Sequence, residues 1–392
     1  MYIALLGRQP ALGMAELEKV HGDVKWFSDH SAVITTDEFS IEKLGGTLKA
    51  GRIVATLPRG DWRTSSMKLV KAYTDAWSGV EGKITLGISA YGFDISPRDV
   101  QKTGIVLKQK LKKLDVSLRL IPNQEIALNT AASHHNKLGL SSNKVELLVV
   151  RARNGKVIIA ESTGAQNITA LARRDQERPK RDAFVGMLPP KLAQMMINLA
   201  TPNSADKDSR ALRILDPFCG TGVIPQEALL LDYDAYGTDL SEKMIAYTQT
   251  NLEWLKKTHH IDEHTWELKA DDAMTARWTQ PIDAVACESY LGQPFSAPPS
   301  PGKLTEVRGN CNKIITAFLE NIGPQLEPGT PLCVGVPAWR STDDSFTHLP
   351  LINTLEQLGF TRHEFANVRN EELLYARDDQ VVARELLVLR KK

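Results

Sequence analysis

Asp216-Pro217-Phe218-Cys219-Gly220-Thr221-Gly222 closes a short apolar run, 213–218, with an acid and then two glycines. Glycines at a strand end let the backbone turn sharply and approach a ligand with no Cβ in the way. Residues 223–231 continue with helix spacing, so the unpaired N–H groups of a helix start face the same ligand. A second strand, 235–240, carries Asp239 and Leu240 at its carboxyl end. An acid placed there can accept both hydroxyls of a ribose. Two cofactors suit that outline, and a purely structural glycine turn is the third reading. A dinucleotide fingerprint needs G-x-G-x-x-G, whereas Gly220-x-Gly222 continues into Val223-Ile224-Pro225. Asp216, just ahead of the turn, would also repel a pyrophosphate, and it suits the cationic end of S-adenosylmethionine (SAM).

The same stretch resembles motif I of the class I SAM-dependent methyltransferases that modify nucleic-acid amines. The resemblance implies a cofactor site built from Asp216, Pro217, Phe218, Gly220, Thr221 and Gly222, with Asp239 and Leu240 at the ribose. It also implies an acid near the adenine, at the end of the third strand. Lys269-Ala270-Asp271-Asp272-Ala273 supplies two, and Asp272 is the better match; capping of the next helix is the competing reading. The methyl acceptor belongs at the end of the fourth strand, outside the carboxyl edge of the sheet. Enzymes of this kind that act on exocyclic amines carry D-P-P-Y there. This chain reads Cys287-Glu288-Ser289-Tyr290-Leu291-Gly292, with Glu288 where Asp would stand, Ser289 and Tyr290 in place of the prolines, and Leu291 in place of the aromatic. Glu288, Ser289 and Tyr290 are therefore the expected catalytic segment, Glu288 orienting the amine; a structural carboxylate is the alternative. Tyr290 or Phe295 offers a stacking face for a base. The proline-rich stretch 292–301 is either a cover for the substrate or a connector.

The elements that must position these residues fall into three stretches. At the amino end, 2–6, 31–35 and 52–57 read as strands and 14–21 and 41–50 as helices. A second α+β unit follows, with strands at 83–91, 117–120, 145–153 and 157–163 and a helix at 99–114. Asn154-Gly155 is a strong hairpin turn within it. From 172 the text becomes charged and proline-punctuated, as a linker does, until Pro189-Pro190 opens a helix, where proline suits the first turn. Strands and helices then alternate to about 360, which implies a doubly wound, mainly parallel sheet. The strands include 266–270, 282–287 and 332–337; helices are expected at 241–257, 306–325 and 351–358. A hairpin formed by 373–377 and 381–389 should add an antiparallel strand.

Composition sets the bounds. The chain has 392 residues, 42% hydrophobic and 24% charged, which suits two or three globular domains. Its formal net charge is +1, so a polyanion must be held by a local patch. Cys219, Cys287, Cys311 and Cys333 show no C-x-x-C spacing, which fits a reduced, cytoplasmic protein better than a disulfide or zinc framework. The first residues are too short for a signal h-region, and no apolar run reaches the length of a membrane helix.

One local patch is evident. From 98 to 119 there are seven basic and two acidic residues, and Lys108, Lys112, Lys113 and Arg119 are the candidates for phosphate contact. A solvated helix face is the plainer reading; phosphate contact would bring steep salt dependence. In the linker Arg174, Arg178, Lys180 and Arg181 invite the same reading, diluted by Asp175, Glu177 and Asp182. His259, His260 and His264 with Asp262 and Glu263 could suggest a metal, but histidines suit a helix C-terminus anyway. No metal site is expected there or at His134-His135.

Taken along its length, the chain resembles the THUMP-domain tRNA guanosine-N2 methyltransferases that act at position ten. The resemblance rests on the opening MYIALLGRQPALGMAELE, on the unit ending near Gln166, and on RRDQERPKRDAFVGMLPPKLAQMMINLA leading into ILDPFCGTG. It implies a ferredoxin-like α+β unit (1–80), a THUMP-like RNA-binding unit (81–166), a linker (167–188) and a Rossmann-like methyltransferase domain (189–392) with an antiparallel C-terminal hairpin. It implies that the helix starting at Pro190 closes over the methionine end of SAM, that tRNA is the partner, and that methyl transfer is direct and in line. The base would leave its stack, and most of the acceleration would come from proximity and orientation. A DNA amine methyltransferase and a non-catalytic SAM- and RNA-binding protein are the alternatives. A homodimer or a small activating protein partner is left open.

Overall fold

Asn154-Gly155 forms the tight turn expected of it, with Gly155 at φ +84°, and joins two strands of a mixed eight-stranded sheet. The computed structural model describes residues 1–182, 188–201, 211–261 and 263–392; residues 183–187 of the expected linker and Asp262 lie outside the described residues. The amino-terminal elements are β1 (Tyr2–Leu6), α1 (Pro10–His21), β2 (Val24–Ser28), β3 (Ser31–Ile34), β4 (Thr47–Leu57) and α2 (Trp62–Ala76). They continue as β5 (Lys83–Tyr91), α3 (Pro97–Lys112), β6 (Ser117–Leu120), α4 (Thr130–His135), β7 (Lys144–Arg151) and β8 (Val157–Ala165). The sheet order is β2-β3-β1-β4-β8-β7-β5-β6. Within it β5 runs parallel to β6 and β7.

Local chemistry explains the elements. Ser96 and Asp99 make a capping box at the start of α3, with Pro97 in its first turn, and Val100, Leu107 and Leu111 turn one face into the core. Lys49 of β4 and Glu146 of β7 form a buried ion pair of 2.5 Å, which Ser89 supports with a hydrogen bond to the same carboxylate. One expectation fails here. Residues 41–50 are not a helix: Gly45-Gly46 disfavours one, and Thr47–Leu57 forms β4, which pairs with β1 on one side and β8 on the other. Strands β4 and β8 lie side by side, so one sheet draws strands from both sides of residue 80.

The chain forms two compact units. The first comprises 1–10, 23–42 and 47–170; the second comprises 11–22, 43–46 and 171–392, so it includes α1. The remaining elements are α5 (Ile168–Gln176), α6 (Pro190–Ala200), β9 (Arg213–Asp216), α7 (Val223–Leu230), β10 (Asp234–Asp239), α8 (Glu242–His259) and β11 (Trp266–Ala270). Then come β12 (Ala284–Glu288), α9 (Pro301–Ile322), β13 (Pro331–Arg340), β14 (Phe346–Thr347), β15 (Phe360–Arg362), β16 (Leu374–Tyr375) and β17 (Val382–Lys391). Strands β11-β10-β9-β12-β13 are parallel, and β17 joins antiparallel to β13. Covered on both faces, β12 reads Ala-Val-Ala-Cys without alternation and stays buried until Glu288. The expected helix at 351–358 is only a 3-10 turn, Pro350–Thr354. Strand order reverses at β9, between β10 and β12, which opens a crevice at the carboxyl ends of those strands. Among the described residues no helix is long and apolar enough to cross a membrane.

Candidate active site

Strand β9 ends on Asp216, and the chain turns through Gly220 (φ +52°) and Gly222 (φ +82°) into α7. A Cβ on Gly222 would stand 2.6 Å from Thr248 Cγ2, so both backbone sign and space demand glycine. Helix α8 holds the turn from behind. The Thr248 hydroxyl donates to Gly220 O at 2.8 Å and the Asn251 amide to Thr221 O at 2.9 Å. Asp239, at the end of β10, accepts from Gly220 N (2.9 Å) and Ser241 N (2.9 Å), one bond to each carboxylate oxygen. Each oxygen keeps a further lone pair for a ligand hydroxyl.

Asp216, Phe218, Cys219, Gly220, Thr221 and Asp239 line a cavity of about 380 Å³ together with Leu188, Val223, Ile224, Glu288, Ser289, Tyr290, Leu291 and Gly292. Three carboxylates enter it, those of Asp216, Asp239 and Glu288, and among the described residues no lysine or arginine lines it. Burial pushes the Asp216 carboxyl well above the usual range; the Phe218 amide opposes this, while Asp239 and Glu288 add to it. A cation with neighbouring hydroxyls suits this set of donors and charges.

The segment 288–292 is ordered without prolines. Ser289 donates through both its N–H (2.9 Å) and its hydroxyl (2.8 Å) to Gly335 O on β13. Glu288 receives Arg384 Nε of β17 at 2.5 Å. Tyr290, 47% exposed, stands at the cavity mouth. Phe295 packs partly buried against the core under α9 rather than standing free.

Other expected residues fall outside the cavity lining. Pro190 is buried in the first turn of α6. Asp271 pairs with Lys269 at 2.6 Å, and Asp272 accepts from Met274 N at 2.9 Å in a turn, not a helix; Ala273 is buried beside them. The Asp271 amide donates to Asp239 O, which places this turn next to the cavity wall. Leu240 is exposed beside Asp239. Lys108, Lys112, Lys113 and Arg119 are all exposed on the first unit. Of the linker cations, Lys180 and Arg181 are exposed, but Arg174 and Arg178 are buried. Arg174 makes two hydrogen bonds to the buried Glu227, of 2.6 and 3.0 Å, so its guanidinium is engaged and not offered to a phosphate. Among the described residues no group of His, Cys, Asp and Glu could hold a metal, and all four cysteines are free and buried.

Sequence reasoning missed Thr248, Asn251 and Arg384. The signal for the last was present: Arg384-Glu385 is a charged pair inside the apolar strand Val382–Lys391.

Residues 178–306 match the family described as UPF0020: RMKL-like, methyltransferase domain. The tRNA (guanine(10)-N2)-dimethyltransferase of Methanothermobacter thermautotrophicus is 31% identical over 165 residues, 42% of this chain and 43% of that protein. The protein of the same name from Pyrococcus abyssi is 43% identical over 115 residues, 28% of this chain and 30% of that one. The chain thus spans less than half the length of these curated relatives. The crystal structure of TrmN from Thermus thermophilus superposes over 100% of this chain and 99% of that one, at 17% identity and a TM-score of 0.54, a likeness of fold. The second unit thus has the Rossmann-like fold seen in class I methyltransferases, and its residues 178–306 are similar to the RMKL-like methyltransferase domain.

Proposed function

We propose that this chain transfers a methyl group from SAM to an exocyclic amine of tRNA, with guanosine N2 as the acceptor. The observation that carries this reading is the cavity itself: three carboxylates and, among the described residues, no lysine or arginine in its lining, at the switch point of the sheet, with an exposed tyrosine at its mouth. SAM, when bound, supplies an electrophilic methyl on a sulfonium. Asp239 would accept its ribose hydroxyls, the Gly220–Gly222 turn would receive its backbone-facing edge, and Asp216 would face its positive charge. Asp272 and Leu240 are candidates for the adenine side, and Pro190 for the helix start over the methionine end.

Glu288 would accept hydrogen bonds from the amine and so direct the nitrogen lone pair toward the methyl carbon, while Tyr290 stacks on the extruded base. The curated relatives, named for guanine(10)-N2 dimethylation, favour tRNA and this atom over other amines. The unit at 81–166, with Lys108, Lys112, Lys113 and Arg119 exposed, is the candidate THUMP-like RNA holder; Lys180 and Arg181 are further candidates.

The test is methyl transfer from labelled SAM to unmodified tRNA, with the product nucleoside identified by mass spectrometry. N2-methylguanosine is expected. Methylated DNA or another methylated nucleoside would redirect the assignment, and SAM binding with no transfer to any nucleic acid would overturn it.

A further inference from the structure

Glu288 does not stand alone at the cavity edge. Its partner Arg384 comes from β17, two strands away, and the sheet leaves a lane between them. Glu288 pairs with Gly335 of β13, and Gly335 with Leu386 of β17. Paired residues share a face of the sheet, and so do residues two apart on a strand, which places Arg384 on the face of Glu288. Gly335 sits in that row with no side chain, and Arg384 Nε reaches Glu288 Oε1 at 2.5 Å. The next residue, Glu385, takes the opposite face, where it pairs with His348 at 2.5 Å and lies 3.8 Å from Arg362. Arg384 is therefore committed to Glu288, and both side chains are largely buried, 11% and 15% exposed.

We propose that Arg384 is a positioning residue for methyl transfer: it fixes Glu288 through Oε1 and leaves Oε2 directed to the acceptor amine. The proposal rests on the reading of Glu288 given above. It has a chemical rationale in this loop. Where D-P-P-Y uses two prolines to hold a short acid, Glu-Ser-Tyr-Leu carries a longer one with an extra rotatable bond. Ser289 fixes the backbone through Gly335, and a directional guanidinium fixes the carboxylate. A side chain so held loses little freedom when the amine arrives.

The experiment measures kcat and KM for labelled SAM and unmodified tRNA in the full chain and in Arg384→Gln, Arg384→Lys, Glu288→Gln and the double variant Glu288→Gln/Arg384→Gln. The wild type is scored first: SAM binding without transfer to any nucleic acid overturns the enzyme reading, and this proposal with it. With an active wild type, Arg384→Gln should lower kcat by about tenfold to a hundredfold while both KM values stay within about twofold. Arg384→Lys, which keeps the charge but not the fixed fork, should recover part of that loss. In the Glu288→Gln background, removal of Arg384 should cost nothing further, because it acts through Glu288. Wild-type kcat in Arg384→Gln, or losses that multiply in the double variant, would overturn the proposal. Thermal melting checks that each variant folds; if Arg384→Gln does not, Arg384→Lys decides, and wild-type kcat in that variant counts against the proposal.

Discussion

Asp239 accepts a hydrogen bond from the Gly220 amide at 2.9 Å, which joins the end of β10 to the glycine turn after β9. The acid proposed to face the ribose and the turn are thus one piece of structure. Asp239→Ala removes the acceptor for the ligand diol and the tie to Gly220 together. Affinity for SAM should fall about tenfold to a hundredfold, the range for hydrogen bonds to a charged group, while tRNA binding stays as it was. Calorimetry with SAM and filter binding with tRNA would measure the two; unchanged SAM affinity removes Asp239 from the site.

Asp216 gives the cofactor site a pH signature. Burial holds its carboxyl well above the usual range, so the free protein keeps this proton to higher pH than an ordinary carboxyl would. A sulfonium in the cavity favours the ionised form, so SAM and the proton on Asp216 compete. Affinity for SAM should rise with pH until Asp216 is ionised without the ligand. S-adenosylhomocysteine, uncharged at sulfur, should show a shallower rise, and Asp216→Asn should remove the difference between the two. Parallel pH profiles for both ligands in the wild type would place the sulfonium elsewhere.

Legibility followed the reach of each interaction. The turn 216–222 and Asp239 could be read because the glycines, the acid and their spacing are local consequences of a strand–turn–helix. Strand β12 showed itself as an unbroken apolar run ending in an acid. What stayed hidden is held by partners far along the chain. Arg384 meets Glu288 across 96 positions. Residues 41–50 carry helix-like spacing, yet β4 becomes a strand because two neighbours, β1 and β8, need its backbone groups. The linker arginines read alike in sequence, and only packing separates the exposed Arg181 from the buried Arg174.

That separation can be tested. Arg174 and Glu227 form a bidentate pair with side chains 8% and 1% exposed. Removing one partner leaves the other charge buried and uncompensated, at a cost of about 3–5 kcal/mol. Arg174→Met should therefore lower the melting temperature sharply, and adding Glu227→Met should restore most of the loss. The salt dependence of tRNA binding, measured on the folded double variant, should keep its wild-type slope. Lys112→Glu with Lys113→Glu should instead flatten that slope while leaving the melting temperature nearly unchanged. A flattened slope in the double methionine variant would return Arg174 to the RNA surface.

Glu16 of α1 carries the clearest pH dependence of stability. Its carboxylate accepts from Gly45 N and Gly46 N, each at 2.8 Å, and from Asn198 Nδ2 at 2.7 Å, all within the second unit. It is fully buried, and burial outweighs those three donors to push the carboxyl from 4.5 up to about 7. The folded state then holds a proton that the unfolded chain releases near 4.5, so stability falls as pH rises between the two values. The contribution is fully present below about 4.5 and is gone above about 7, a difference of about 3 kcal/mol for this one group. Urea unfolding across that range should show the fall in the wild type. Glu16→Gln cannot release the proton, so its curve should be flatter, with lower stability in acid because the amide turns an N–H₂ toward donors. Two parallel curves would mean that Glu16 stays ionised throughout, with its three hydrogen bonds prevailing over burial.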